Sequence, residues 1–274
     1  MIYSASRRTD LPAFYPGFTT EKVARSRRLE AIVFWTRDVR NLVRHQGLSR
    51  VVERVPCLIL VTDTGLAGTA WEPRAPSLAD QEPELAELAR RLPFGAVRWR
   101  FDPMIPKPGY GAAELLERFR RLRERWERIL GRLEGVTVSF PDPYPKAVAR
   151  ATEAGLGWPV FTPDEKRRLV EALAREFGRE AGRVRLCCEP ELLDLPGVGR
   201  AACVDGPALE RLYGAPLGDI PKDPDQRRAC GCVKSIDIGS YAMACGHGCL
   251  YCYANPKLVG AGASFADADP SERR

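Results

Sequence analysis

The sequence has no long apolar run. Nowhere in its 274 residues is there anything near the roughly 18–20 apolar residues needed to cross a bilayer. Its start, Met1-Ile-Tyr-Ser-Ala-Ser-Arg, lacks the basic-then-apolar pattern of a secretion signal, so the expectation is a cytoplasmic protein with no membrane partner. There is no Gly-rich phosphate loop of the Walker type and no nucleophile elbow, which excludes two common enzyme plans. No internal repeat suggests a solenoid. Asparagine occurs only at 41 and 255, while arginine greatly outnumbers lysine. A GC-rich genome accounts for that bias, which implies nothing about thermostability.

What the chain does have is cysteine. It carries nine, many for a reducing compartment where disulfides are rare, so clustered thiols there read as metal or redox sites. Five of them fall between 230 and 252. At 45% hydrophobic the chain can bury a core of one large domain or two modest ones. Its formal charge of +6 permits an anionic partner such as nucleic acid without requiring one.

Short apolar runs at 2–6, 31–36, 57–62, 96–102, 136–140, 184–188 and 235–238 read as strands. Helical patterns lie between several of them, at 21–28, 78–91, 112–132 and 163–178. The last opens on Thr162-Pro163-Asp164-Glu165, a capping box with proline at the first helical position. Strands alternating with helices predict an α/β fold of parallel βα units, a partial or closed TIM-like barrel. One domain over 1–259, with a loose tail at 260–274, is the expected organisation.

The decisive stretch is Cys245-Gly-His-Gly-Cys249-Leu-Tyr-Cys252. Thiols at spacings of four and three positions can turn toward one point, and Gly246 and Gly248 let the chain curl tightly. Such a triplet suits a soft metal, either an iron–sulfur cluster or zinc. His247 suits a supporting role in the loop better than ligation.

This loop resembles the signature of radical S-adenosylmethionine (SAM) enzymes, with Tyr251 as the aromatic residue before the last cysteine. The continuation Tyr253-Ala254-Asn255 looks like the spore photoproduct lyase branch. Over most of its length the chain is also similar to an uncharacterised bacterial family. That family opens with Ser-Arg-Arg-Thr-Asp, here Ser6 to Asp10, and closes with Cys-Gly-Cys and the same cysteine loop. The resemblance implies a [4Fe–4S] cluster on Cys245, Cys249 and Cys252, with SAM on its open iron. It also implies an external electron donor such as flavodoxin or ferredoxin, and a 5′-deoxyadenosyl radical that takes hydrogen from a substrate. Tyr251 would lie near the SAM adenine, with Tyr253 beside the cofactor. In that superfamily the cluster loop follows the first barrel strand, whereas here it follows the last. A circular permutation, with 2–6 lying beside 235–238, would reconcile the two.

Strand alternation divides the faces. Val97, Trp99 and Phe101 oppose Arg98, Arg100 and Asp102; Thr137 and Ser139 oppose Val136, Val138 and Phe140; Ser4, Ser6 and Arg8 share one side. If helices cover the apolar faces, the polar ones line a reaction chamber. The alternative is an open antiparallel sheet with those faces in water. Ser6 ends the first strand, and Arg7, Arg8 and Asp10 follow it, where a barrel places its functional loops. Arginine grips carboxylate or phosphate bidentately, making Ser6 and Arg7 candidates for the cofactor and Arg8, Asp10, Arg100 and Asp102 candidates for the chemistry. A structural Arg–Asp network is the competing reading.

Cys230-Gly-Cys232, with Cys188 and Cys203, would complete a four-thiolate site for an auxiliary iron–sulfur cluster or, alternatively, zinc. Cys187 could stand in for Cys188. Cys57, in Cys57-Leu-Ile-Leu-Val, reads as a buried core thiol. The arginine-rich stretch at 112–132 reads as a solvated outer helix laced by ion pairs. The leading function is therefore a radical SAM enzyme with an auxiliary cluster, nucleic acid being one substrate class the resemblance suggests. A non-catalytic zinc- or iron–sulfur-binding module on nucleic acid is the alternative.

Overall fold

A computed structural model of the chain describes residues 1–107, 109–214 and 217–254; the expected tail at 260–274 and Asn255 lie outside them. Eight strands form one sheet: β1 (Ile2–Ala5), β2 (Ala31–Thr36), β3 (Cys57–Thr62), β4 (Val97–Phe101), β5 (Val136–Val138), β6 (Val184–Leu186), β7 (Val198–Arg200) and β8 (Ile236–Asp237). Their order is β7-β6-β5-β4-β3-β2-β1-β8, and every pairing is parallel. The antiparallel alternative is thereby removed. Among the described residues β7 and β8 are the two ends of the sheet. The architecture is an α/β sheet compatible with a TIM-like barrel, and among the described residues no ladder closes it.

The last strand lies beside the first. Tyr3 pairs with Ile236 and Ser4 with Asp237. The chain's C-terminal loop is thus delivered to the same edge of the sheet as the turn after β1.

The helices are α1 (Leu11–Phe14), α2 (Pro16–Ala24), α3 (Arg40–Arg44), α4 (Gln46–Arg54), α5 (Glu82–Arg91), α6 (Ala112–Leu130), α7 (Pro145–Glu153), α8 (Pro163–Glu176) and α9 (Gly206–Tyr213). The capping box of α8 forms as expected: the Thr162 hydroxyl accepts from the Glu165 N–H at 3.2 Å, and the Glu165 carboxylate accepts from the Thr162 N–H at 2.8 Å. The helix expected over 21–28 begins earlier, at Pro16, and ends at Ala24. Proline fits the first helical turn because no intrahelical bond is lost there. No helix among the described residues is long and apolar enough to cross a membrane.

The apolar face of β4 packs under helices as expected. Trp99 stacks on Phe119 at 5.1 Å and on Trp126 at 6.1 Å between ring centroids, all three fully buried. Each such ring contributes about 1.5–3 kcal/mol through burial. Cys57 belongs to this same core, a buried thiol whose pKa burial pushes up to about 12.

The opposite face is mixed rather than uniformly polar. Ala31, Val33, Leu58 and Leu60 form a second core with Val204 and Leu209, so α9 and the chain around it cover β2 and β3. Arg98 fastens that cover, donating to Asp205 at 2.9 Å, where Asp205 caps α9. Arg100, Asp102, Thr137 and Ser139 hold the polar half.

The α6 helix is not wholly solvated. Arg118 is buried, pairs with Glu114 at 3.2 Å, donates to the Ile105 carbonyl and lies 5.7 Å from the Phe101 ring. Its aliphatic stem packs while its head ties down the loop after β4, a double use open to long cationic side chains. The run of arginines did not mark which one faced inward.

Candidate metal and cofactor site

The strand ends at β1, β2 and β3 converge on the C-terminal loop. Asp10 caps α1, accepting from the Ala13 N–H at 3.1 Å. Its other oxygen accepts from the Thr36 hydroxyl at 3.0 Å and the Arg37 N–H at 2.7 Å, and lies 2.8 Å from His247 Nε2. One buried carboxylate thus joins the ends of β1 and β2 to the middle of the cysteine loop. His247 is itself buried, and its ring meets Phe14 edge-on at 4.7 Å.

The loop is tight for definite reasons. Gly248 takes a φ of +68°, which glycine adopts without steric cost. A Cβ on Gly246 would sit 2.5 Å from Phe14, so no side chain fits where the loop crosses α1.

A second anchor was not visible in the sequence. Glu72 is almost completely buried and receives both Arg37 guanidinium nitrogens, at 2.6 and 2.8 Å. The Tyr251 and Thr64 hydroxyls also donate to it. Burying a carboxylate is costly unless it is paired and hydrogen-bonded in this way. Glu72 lies in an irregular loop whose sequence carries no motif, and only its partners reveal it. Arg150, also unforeseen, donates to the Leu250 and Cys252 carbonyls.

The three loop thiols are free and at least partly buried. Burial raises Cys245 and Cys249 to about 12 and Cys252 to about 11. Each feels a neighbour's charge: Cys245 that of Cys252, Cys249 that of Cys245, and Cys252 that of Cys249. The His247 and Asp10 N–H groups hydrogen-bond the Cys245 sulfur, and the Ala254 N–H that of Cys252. Among the described residues, no three His, Cys, Asp or Glu side chains are grouped so as to hold a metal ion. The thiols therefore share one neighbourhood without the close convergence that a single tetrahedral ion, with sulfur at about 2.3 Å, demands.

Ser6 and Arg7 bind the last strand. The Ser6 hydroxyl donates to Asp237 at 2.6 Å and the Arg7 N–H donates to it at 3.0 Å. Arg8 donates to the Gly239 carbonyl at 3.1 Å and lies 5.1 Å from the Tyr241 ring. The Tyr253 hydroxyl donates to the Arg7 carbonyl. Arg100 pairs with Asp102, which also accepts from Ser139. The predicted site residues thus share the C-terminal ends of the strands, the edge where α/β proteins bind ligands.

The second set of cysteines meets on that same edge. Arg100 Nη1 donates to the Cys203 sulfur at 2.6 Å, and the Val204 N–H to the Cys232 sulfur at 3.4 Å. Cys188, Cys203, Cys230 and Cys232 belong to one packed cluster. The expected strand at 184–188 ends at Leu186, and Cys188 turns aside with a φ of +64°.

Fold and site together define a parallel α/β protein with thiol-rich loops at its strand ends. The chain belongs to the family described as Domain of unknown function (DUF1848), which it matches over residues 18–254. That span takes in all nine cysteines and begins after the Ser6 to Asp10 block. A search of curated proteins finds no match.

Proposed function

We propose that this protein is a radical SAM enzyme whose cluster loop has been carried to the C-terminus by circular permutation. One observation carries the reading: β8, the strand that leads into the cysteine loop, pairs in parallel with β1. The loop therefore follows a strand of the sheet on its ligand-binding edge, as the resemblance requires.

The donor set fits the cofactor. Cys245, Cys249 and Cys252 would hold three corners of a four-iron cluster, whose own atoms keep its ligands farther apart than those of one ion. When bound, the cluster with SAM supplies one-electron cleavage of a sulfonium bond and thereby hydrogen-atom abstraction from a substrate. The protein's share is placement and exclusion of water. Arg37 lends positive charge to Cys249, which offsets thiolate charge in a poorly solvated site. N–H groups directed at the cysteine sulfurs tune such centres. Asp10 and His247 fix the loop against α1, and Glu72 with Tyr251 fixes its far side. Trp71 and Ile105 pack with Leu250, with Trp158 against them, and shield the loop from solvent. Arg7, Arg8, Arg100 and Asp102 stand nearby as groups for SAM or substrate, and the external reductant would be a flavodoxin- or ferredoxin-like protein.

The test is anaerobic reconstitution of the full chain followed by electron paramagnetic resonance of the reduced protein. A four-iron signal that changes on adding SAM supports the reading. A colourless protein with stoichiometric zinc in this loop overturns it.

A further inference from the structure

Six cysteines lie outside the loop; Cys57 is in the core, and the other five have no place in that chemistry and are not scattered. Cys203 follows β7, Cys230 and Cys232 lie between α9 and β8, and Cys187 and Cys188 follow β6. The topology brings three separate segments to one spot beside the polar end of β4. Cys203, Cys230 and Cys232 pack in one cluster with Cys188 against it, and the thiols influence one another in a row: Cys187 with Cys188, Cys188 with Cys230, and Cys232 with both Cys230 and Cys203.

The surroundings are built around sulfur. A Cβ on Gly231 would lie 2.6 Å from the Ala201 carbonyl oxygen, so only glycine lets the Cys230-Gly231-Cys232 turn settle against the chain leading to Cys203. Three guanidinium groups face the thiols. Arg100 donates to Cys203, Arg227 hydrogen-bonds Cys188, and the Arg7 charge acts on Cys232. Each is already paired with a carboxylate: Arg7 Nη2 lies 3.5 Å from Asp223, Arg100 pairs with Asp102, and Arg227 donates to Asp142 at 2.7 Å. Arg7 Nη2 and Arg100 Nε are nonetheless buried without a hydrogen-bond partner, and a centre of four thiolates would set acceptors before these unused donors.

The covering chain also needs a fastener. From Gly214 to β8 the described residues hold no helix and only an isolated bridge between Lys222 and Val233. Long irregular segments inside compact domains are uncommon without a functional or structural tie, and thiolate–metal bonds supply such a tie.

We propose that Cys188, Cys203, Cys230 and Cys232 hold a second soft-metal centre of four thiolates, separate from the loop at 245–252. Each thiol gives its proton to solvent as its sulfur bonds the metal. Cys188 is assigned over Cys187 because it reaches Cys230 and Arg227 directly. Among the described residues the sulfurs are not grouped for a metal ion as they stand, so ligation requires these side chains to reorient.

The test isolates this site from the first. The full-length Cys245→Ala/Cys249→Ala/Cys252→Ala variant is purified anaerobically and assayed for iron, acid-labile sulfide and zinc. Retention of about four irons with sulfide identifies an iron–sulfur cluster, and about one zinc a closed structural centre; either result supports four-thiolate ligation. Cys188→Ser added to that variant should abolish the metal, whereas Cys187→Ser should leave it. Circular dichroism shows whether the Cys188→Ser chain is still folded. If it is not, alkylation of Cys188 in the parent variant, blocked until a chelator is added, reports the same ligation. A folded triple variant holding neither metal overturns the proposal whatever the first loop binds, and loss with Cys187→Ser alone overturns the ligand assignment.

Discussion

Ser6 donates its hydroxyl proton to Asp237 at 2.6 Å, joining the end of the first strand to the last across 231 residues of sequence. Asp237 also accepts from the N–H groups of Arg7 at 3.0 Å and Gly239 at 2.9 Å. This carboxylate organises the seam from which the cysteine loop departs. The Ser4 hydroxyl donates to it as well, at 3.4 Å, so Asp237→Ala strands four donors and should cost about 2–3 kcal/mol, against about 1 kcal/mol for Ser6→Ala. Urea denaturation of the two variants measures the difference.

The Arg37–Glu72 pair is buried on both sides, with side-chain exposures of 11% and 1%. Removing one partner of such a pair leaves an uncompensated charge in a poorly solvated place. Glu72→Ala should therefore cost about 3–5 kcal/mol. Arg37→Met combined with Glu72→Leu should recover most of that loss, because no charge is left unpaired. A double-mutant cycle by denaturant titration checks it.

Asp63 gives a pH dependence. Burial pushes its pKa up, against the Trp126 N–H that it accepts at 2.9 Å. The folded protein thus holds this proton more tightly than the unfolded chain, whose aspartate titrates near about 3.9. Its contribution to stability falls as pH rises from that value to the raised one, and then levels off. Asp63→Asn has no charge to bury, so its stability relative to wild type should improve across that window and stay improved above it. Thermal melts in a pH series read this out; a relative stability that declines with pH would contradict it.

Much of the architecture was legible beforehand because buried parallel strands are apolar on both sides. The runs at 31–36 and 57–62 appear with the expected boundaries. By contrast β7, Val198–Arg200, has three residues with a glycine in the middle and no pattern to detect. The α4 helix was unread because it is short and mostly polar along the chain, burying only Leu48, Val51 and Val52. The cysteines could be grouped by spacing and compartment, since thiols that cluster in sequence tend to cluster in space. Glu72 and Arg150 could not, because their importance lies in partners far along the chain. Asp10 was conspicuous as a strand-end acid, yet its bonds to Ala13, Thr36, Arg37 and His247 are visible only once β1, β2 and the loop are assembled.

The crossing of the cysteine loop over α1 makes a steric prediction. Gly246→Ala would drive a methyl group into Phe14, 2.5 Å away, a separation that packed side chains do not tolerate. The loop should lift, and bound iron should fall severalfold while the fold persists. Adding Phe14→Ala opens the space and should restore part of the iron. Metal analysis of the three proteins is the measurement.

The most direct measurement is chemical. The anaerobically reconstituted full chain is reduced in the presence of SAM, and 5′-deoxyadenosine is quantified by chromatography beside a folded Cys249→Ala variant. The account predicts product from the first and none above background from the second. An iron-loaded, reduced wild-type protein that leaves SAM intact, or a Cys249→Ala variant that cleaves it equally well, would contradict it.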